Sequence, residues 1–559
     1  MVIHKNKSLS NSMGSPPVSP SLGGRSLSLP RDDIKKIIKC LITKNPQTEK
    51  DFLNLARHQF GKLKLPPPEK SKLLSAYHKI IKKQPKLKNR NLEKFLTKRA
   101  VRTLSGVAVI SVLTKPHPCP GRCLFCPTES GMPKSYLSNE PAVMRAILND
   151  FNPYRQVAMR LKALQANGHA VDKIELIVMG GTWSYHPRQY QNWFIKRCFD
   201  ALNGRTSKDL ATAQKRNETA RHRCIGLTLE TRPDFINEKE IVQMRSLGCT
   251  RVELGIQHTD DKILKLNRRG HSVKQSIEAI KLLKNSGFKI NLHLMPNLYG
   301  STPAKDLAMF KKIYTDGNYM PDMVKIYPCV VNKDARLYRL WQTKKYRPYS
   351  DRQLLDLLIK IKKITPPWVR ITRLIRDIPE ESIAAGNKIT NLRQLINEQA
   401  EKDGWNCKCI RCREVGHVKN LRLKDEKTKL KIRKYRASGG QEYFLSFESP
   451  DEKILYAFLR LRINNDSEKN FIPELHAAAL IRELHTYGQL AGLGKKGEVQ
   501  HLGLGKKLLL EAEKITKKGL KKTCPKHSRG IAVIAGIGVR EYYKKMGYTL
   551  SGTYMLKSI

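Results

Sequence analysis

Val107-Ala108-Val109-Ile110-Ser111-Val112-Leu113 runs into Thr114-Lys115-Pro116-His117-Pro118-Cys119-Pro120-Gly121-Arg122-Cys123-Leu124-Phe125-Cys126: an apolar, β-branched segment, then a loop with cysteines spaced C-x-x-x-C-x-x-C. Five further apolar runs follow, at Ile174 to Met179, Cys224 to Leu229, Arg251 to Ile256, Lys289 to Met295 and Met323 to Tyr327, with segments of helical length between them. Continuous apolar runs mark strands buried on both faces, and their alternation with helices predicts βα units and a parallel sheet. Polar or backbone-permissive residues stand directly after the runs: Gly180-Gly181, Glu230-Thr231-Arg232, Gln257, Pro296 and Pro328. Ligands of βα sheets bind at that C-terminal rim, so Gly180, Glu230, Arg232 and Gln257 are candidates for holding a cofactor. The cysteine loop hangs over the same rim.

Three thiolates, Cys119, Cys123 and Cys126, can hold three irons of a 4Fe-4S cluster and leave the fourth iron open. A structural zinc site or cluster uses four protein ligands. An open iron can chelate the amino acid end of S-adenosylmethionine and pass an electron to its sulfonium, releasing a deoxyadenosyl radical. The spacing, with Phe125 just before the last cysteine, is that of a radical-SAM enzyme. The competing reading is a zinc knuckle completed by His117; the sixfold βα pattern argues against it.

Past a mixed segment from Val331 to about Gly440, the pattern changes to strands at Glu442 to Phe447, Ile454 to Ile463 and Ala477 to Tyr487, then helix, strand, helix and a closing strand. This predicts a separate α+β domain. Gln500-His501-Leu502-Gly503-Leu504-Gly505 opens an amphipathic helix with Leu508, Leu509, Ala512 and Ile515 on one face. Small residues there let backbone amides and a helix N-terminus approach a pyrophosphate such as that of acetyl-CoA, although a G-x-G is often only a tight turn. Tyr542 and Tyr543 offer hydroxyls that can protonate a leaving thiolate, or simply pack. Cys407-x-Cys409-x-x-Cys412 with His417 supplies three soft ligands and one borderline ligand, a set suited to zinc. Unliganded thiols and a second iron–sulfur cluster are the alternatives.

A formal charge of +56, from 105 Lys and Arg against 49 Asp and Glu, exceeds what solubility requires and calls for a polyanionic partner, nucleic acid first. A lysine-rich background accounts for part of it. Residues 31–103 carry apolar positions at helical spacing (Ile34, Ile37, Ile38, Leu41) amid dense lysine with few acids to pair it, which predicts a basic helical RNA-binding module. The Ser/Pro-rich stretch 1–30 is expected to be a disordered tail. Neither a membrane-spanning run nor a signal peptide is visible, and six of the twelve cysteines fall in two tight groups, so metal ligation in a reducing cytoplasm is expected. Cys40, Cys198, Cys224, Cys249, Cys329 and Cys524 are expected to be ordinary buried thiols.

Taken together with Asn139-Glu140-Pro141-Ala142-Val143-Met144-Arg145-Ala146, Met179-Gly180-Gly181-Thr182, Glu230-Thr231-Arg232-Pro233-Asp234 and Arg482-Glu483-Leu484-His485-Thr486-Tyr487-Gly488, the cysteine loop resembles the catalytic subunit of Elongator from about Arg31 to the C-terminus. The resemblance implies an α/β chain: a partial (β/α)6 radical-SAM barrel joined to an α+β GNAT acetyltransferase domain, with the basic helical module in front. It implies a tRNA-modifying enzyme that uses acetyl-CoA and S-adenosylmethionine to build a carboxymethyl group on carbon 5 of the wobble uridine, position 34 of the anticodon. Carried over residue by residue, Cys119, Cys123 and Cys126 would hold the cluster and Lys173 would contact acetyl-CoA. Glu483, Leu484, His485, Thr486, Leu504, Gly505, Lys506 and Tyr543 match the family's acetyl-CoA positions. Eukaryotic members often read His-Gln-Gly-Phe-Gly where this chain has His501-Leu502-Gly503-Leu504-Gly505, which keeps the glycines and places Leu502 and Leu504 where those members have Gln and Phe. The C-x-C-x-x-C with His417 resembles the prokaryotic branch, implying work without the large Elongator scaffold; the electron donor is not specified by sequence. The expected divisions are a tail at 1–30, a tRNA-binding module at 31–103, the radical-SAM domain at 104–330, a linker with the zinc segment at 331–440 and the acetyltransferase domain at 441–559. The lysine-rich stretch from Arg422 to Lys434 is expected to add grip on tRNA phosphates. The rival function is a protein lysine acetyltransferase with a structural iron–sulfur domain.

Overall fold

The computed structural model describes residues 31–97, 106–417, 428–465, 469–487, 503–523 and 530–559. The chain divides at Lys98/Arg99 into two compact units. In the first, helices α1 (Arg31–Lys44), α2 (Glu49–Lys62), α3 (Lys70–Lys83) and α4 (Arg90–Leu96) enclose Ile37, Ile38, Leu41, Phe52, Leu74, Tyr77 and Leu92. Thr48 and Asn89 cap α2 and α4 by accepting from the backbone N–H of Asp51 and Leu92, satisfying donors a helix start leaves open. Lys72, Lys79, Lys82, Lys83 and Lys86 remain exposed.

The second unit holds two sheets. Strands β1 (Ala108–Leu113), β2 (Lys173–Met179), β3 (Arg223–Thr231), β4 (Arg251–Gln257), β5 (Lys289–Leu294), β6 (Met323–Ile326) and β7 (Arg370–Arg373) lie side by side in chain order, all parallel, as a half-barrel. The six expected runs are its first six strands, and β7 adds a seventh. Leu176, Val178, Leu229, Val252, Leu254, Leu292 and Ile326 pack against the covering helices and are buried. Strands β8 (Lys429–Ala437), β9 (Gly440–Glu448), β10 (Leu455–Asn464), β11 (Ala478–Thr486), β12 (Gly530–Val533), β13 (Thr549–Ser551) and β14 (Tyr554–Lys557) form the second sheet, ordered β13-β14-β12-β11-β10-β9-β8. Within it β11 and β12 are parallel, and the other neighbours are antiparallel.

The second sheet sits under the N-terminal ends of the half-barrel strands. A Cβ added to Gly536 would lie 2.1 Å from the carbonyl oxygen of Ile225, and one added to Gly538 would lie 2.5 Å from Arg223 Cβ. Tyr554 donates to the carbonyl of Ser286 at 2.9 Å, and Arg482 donates to the carbonyl of Phe288 at 3.0 Å. Between the sheets lies a dry set of charges: Lys284 and Asp322 from the half-barrel, and Glu442, Arg460, Arg462 and Arg482 from the second sheet. Arg482 and Arg462 reach Glu442 at 3.2 and 3.1 Å. Burial, offset only in part by Asp322 and Glu442, lowers Lys284 to about 8. No helix among the described residues is long and apolar enough to cross a membrane.

Candidate active site at the two ends of the half-barrel

The cysteine loop follows β1 and folds over the C-terminal rim. Gly121 is where the loop meets Arg232, since an added Cβ would lie 2.3 Å from Arg232 Nη1. Asp234 holds that guanidinium from its other edge, accepting from Nε at 2.9 Å and Nη2 at 2.8 Å. Arg269 donates from Nη1 to Cys123 Sγ at 3.4 Å and from Nη2 to the carbonyl of Gly255 at 2.5 Å. Thr182 Oγ1 stands 3.6 Å from Cys119 Sγ. Burial and the neighbouring Cys123 push the Cys126 thiol up to about 11.

One feature fits an iron–sulfur cluster. Nη1 of Arg232 is buried without a hydrogen-bond partner, and with Arg269 it supplies positive charge beside sulfurs that become thiolates on binding iron.

Inside the half-barrel a polar chain descends from this rim. Glu230 and Glu253 are cross-strand partners on β3 and β4, two like charges that need a cation between them. Lys325 on β6 provides it, lying 3.5 Å from Glu230 Oε1 and donating a short hydrogen bond to Glu253 Oε2. His293 on β5 reaches Glu253 Oε2 at 3.0 Å, and Tyr136 donates to Glu230 Oε2 at 2.9 Å. Burial pushes Glu230 up to about 7, against the pull of Lys325 and with the push of Glu253. Deeper still, Arg251 pairs with Glu175 at 2.6 Å, and Lys289 lies 3.8 Å from Glu483 of the second sheet. Sequence reading nominated Glu230, Arg232 and Gln257 but missed Arg269, Glu253, His293 and Lys325. For Glu253, His293 and Lys325 the available signal was an ionisable residue in the middle of an apolar strand run; Arg269, in a loop between helices, offered none.

The second sheet opens at β11. Pairing with β12 stops at Ile481 and Val533, while β11 continues to Thr486. Into the resulting notch points the helix beginning at Leu504, with Gly503 before it at φ +70°, a left-handed turn that favours glycine. A Cβ on Gly505 would lie 3.4 Å from Tyr542 Oη and 3.6 Å from Thr486 Cγ2, so Thr486, Gly505 and Tyr542 meet at one point. Lys506 is exposed on the first turn, Leu504 is buried and Leu484 packs on the core of this sheet. Tyr543 is buried edge-on to Tyr548, with ring centroids 5.8 Å apart. Glu483 is committed elsewhere, accepting from Arg460 Nε at 2.9 Å; burial opposes its charge, and Lys289 and Arg460 restore it. His485 lies between Phe458 and Tyr487, at 6.1 and 4.3 Å. Gln500 lies outside the described residues. Lys173 begins β2 at the end facing Gly536 and Gly538, and burial lowers its amine. The far end of β2, beside the cysteine loop, is about 20 Å away.

Residues 117–312 match the Radical SAM superfamily and residues 321–402 the Radical_SAM C-terminal domain. The chain is 44% identical to a tRNA uridine(34) acetyltransferase of Methanocaldococcus infernus over 94% of its own length and all of the relative's. It is 44% identical to that of Dehalococcoides mccartyi over 83% of this chain and all of the relative's, and 38% identical to Elongator complex protein 3 of Bos taurus over 83% and 86%. The solved M. infernus Elp3 lacking residues 1–46 superposes with a TM-score of 0.71, covering 81% of this chain and 100% of that one at 44% identity. The chain belongs to the tRNA uridine(34) acetyltransferase and Elongator complex protein 3 family. It is a radical-SAM enzyme of that family, and its half-barrel is the domain for which a 4Fe-4S cluster and S-adenosylmethionine are implied.

In this family member the second cysteine group lies where the two sheets join. Cys407, Cys409 and Cys412 bring their sulfurs within 4.8 Å of one another, a spacing suited to one ion. Cys407 and Cys412 as donors hold the Cys409 thiol well below its usual range. Around them, Ile410 donates its N–H to the carbonyl of Val369, just before β7, and Glu414 bridges to Leu455 of β10. The side chain of His417 lies outside the described residues.

Proposed function

We propose that this chain modifies tRNA, installing a carboxymethyl group at carbon 5 of the wobble uridine with acetyl-CoA and S-adenosylmethionine as cosubstrates. One observation carries the reading: a cysteine loop with three thiols over one end of the half-barrel and a Gly-x-Gly helix start in a split sheet at the other, in a chain matched end to end by proteins named tRNA uridine(34) acetyltransferase.

Cys119, Cys123 and Cys126 would hold the 4Fe-4S cluster, with S-adenosylmethionine at the rim formed by Gly180, Glu230, Arg232 and Gln257. Bound there, cluster and cosubstrate supply a carbon radical able to take a hydrogen atom from the acetyl methyl group. Arg269 steadies the negative charge on the Cys123 sulfur. In the second sheet, the backbone amides from Gly503 to Lys506 and the helix start would receive the pyrophosphate of acetyl-CoA. Thr486 lines the notch beside Leu504 and Lys506, and Glu483, Leu484, His485 and Gln500 would contribute to acetyl-CoA binding. Tyr542, whose hydroxyl overlies Gly505, is placed to protonate the departing thiolate; Tyr543 supports it from beneath, and Lys173 meets the acyl donor from the half-barrel side. The acetyl carbon would bond to carbon 5 of uridine, the resulting nucleoside radical would lose the carbon-5 proton and one electron, which offsets the electron the reductant supplied, and water would cleave the thioester to 5-carboxymethyluridine and coenzyme A. Zinc on Cys407, Cys409, Cys412 and His417 would fasten the joint between the sheets. The lysines of α3, with Lys429, Lys431 and Lys434 of β8, would hold tRNA phosphates, in the cytoplasm and without the large Elongator scaffold.

The test is anaerobic reconstitution with iron and sulfide, then incubation with tRNA, acetyl-CoA, S-adenosylmethionine and reductant, read by nucleoside mass spectrometry. The expected product is 5-carboxymethyluridine from wild type and none from Cys123→Ala. Equal product from both would overturn the radical reaction.

A further inference from the structure

Five rings form a continuous row beside the cysteine loop, stacked at its middle and tilted at its two ends. Tyr185 and His117 have centroids 5.6 Å apart, His117 stacks on His186 at 4.4 Å, His186 stacks on Tyr190 at 4.9 Å, and Tyr190 reaches Trp193 at 5.6 Å. His117 Nε2 lies 3.3 Å from the carbonyl oxygen of Tyr185, and the Tyr190 hydroxyl accepts from the Lys115 N–H at 3.0 Å, so both chain segments are pinned to the stack. His117 stands two residues before Cys119, and Thr182, at the start of the turn carrying Tyr185, is the residue 3.6 Å from Cys119 Sγ.

The middle of the stack is dry and its ends are not. His186 is 4% exposed, whereas Tyr185 and Trp193 are 41% and 43% exposed. His117 and Tyr190 are part-exposed, so the five rings together present one aromatic face rather than scattered surface side chains. Burial, together with His117 and Lys115, lowers His186 to about 4, so the middle ring is neutral at neutral pH. Cations flank it: Lys115 Nζ stands 5.2 Å from the Tyr190 ring, and Arg122 is exposed in the cysteine loop. Flat aromatic faces beside positive charge suit a polymer that alternates flat bases with phosphates, and each unpaired base can stack on such a face whatever its sequence.

We propose that Tyr185 and Trp193 are the open ends of a base-stacking platform that receives unpaired nucleotides next to the reacting one and holds a single-stranded RNA loop splayed at the mouth of the cysteine site. That the RNA is an anticodon loop rests on the function proposed above; the stacking itself does not.

The experiment measures binding of a fluorescent anticodon stem–loop to the full-length protein by anisotropy over a range of salt. Tyr185→Ala and Trp193→Ala are compared with Tyr185→Phe and Trp193→Phe, which keep a stacking face. Each alanine variant is expected to weaken binding by roughly 5- to 100-fold, as loss of a base–aromatic stack does, while each phenylalanine variant stays close to wild type. The salt dependence is expected to keep its slope, because no phosphate contact is removed. Alanine variants that bind the loop as wild type does would overturn the platform, as would an equal loss towards a fully paired RNA duplex. Turnover separates the two readings. Modified uridine from wild type with unaltered binding by the alanine variants overturns the platform alone. Weakened loop binding by those variants, with no modified uridine from wild type, upholds the platform and overturns the reaction.

Discussion

Arg482, in the second sheet, donates to both carboxylate oxygens of Asp322, which stands just before β6 of the half-barrel, with Nη1 to Oδ1 at 2.9 Å. Asp322 also accepts from the Ile290 N–H at 2.9 Å. Asp322→Ala strands buried arginines without their counter-charge, and the expected loss is about 3–5 kcal/mol, read from urea unfolding. Burial alone pushes this carboxyl up, but Arg482, Lys284 and Arg460 overcome it and bring it down to about 2. The folded value lies below the ordinary 3.8, so the stabilisation is complete above that value and drains as pH falls towards 2. Acid titrations of wild type and Asp322→Ala should converge across that window.

Glu230 should change protonation near neutral pH. Infrared difference spectra should show a protonated-carboxyl band that fades as pH rises through about 7 and is missing from Glu230→Gln. Glu253→Gln removes the like charge and should move the transition to lower pH; Lys325→Met removes the cation and should move it higher. Because the folded value is raised, this carboxyl makes the protein less stable as pH climbs from the ordinary 4.5 towards 7.

Tyr542→Phe keeps the ring over Gly505 and deletes only the hydroxyl. Release of coenzyme A, followed with a thiol reagent, should slow by about 10²-fold or more if that hydroxyl protonates the leaving thiolate. An unchanged rate would assign the ring to packing.

Cys409→Ser should abolish zinc in the purified protein, measured by plasma mass spectrometry, and lower the thermal midpoint by about 5 °C or more. Iron held by the first cysteine group should be unaffected. Wild type that folds normally with no zinc would refute the metal site.

Strands β1 to β6 are legible in the sequence because a parallel sheet covered on both faces leaves uninterrupted apolar runs. Strand β7 is not, since Arg370-Ile371-Thr372-Arg373 spends three of four positions on polar side chains serving Glu414, Val324 and Asp377. Strand β8 hides in the same way: Lys429, Lys431 and Lys434 face solvent at the sheet edge and read as a charged stretch. The three cysteines and the glycine turn were visible because their chemistry depends on local spacing. Lys325 between Glu230 and Glu253, or Arg269 on Cys123, joins residues from strands and loops far apart in the chain, and no spacing rule reports such a meeting.

The dry charges between the sheets set a limit on inheritance. Lys284 and Asp322 come from one half, and Glu442, Arg460, Arg462 and Arg482 come from the other. A gene fragment encoding either half alone would present part of this set to water with its counterparts gone, and a graft from a relative would have to match it charge for charge. A chimera that breaks the set is therefore expected to unfold more readily than either parent.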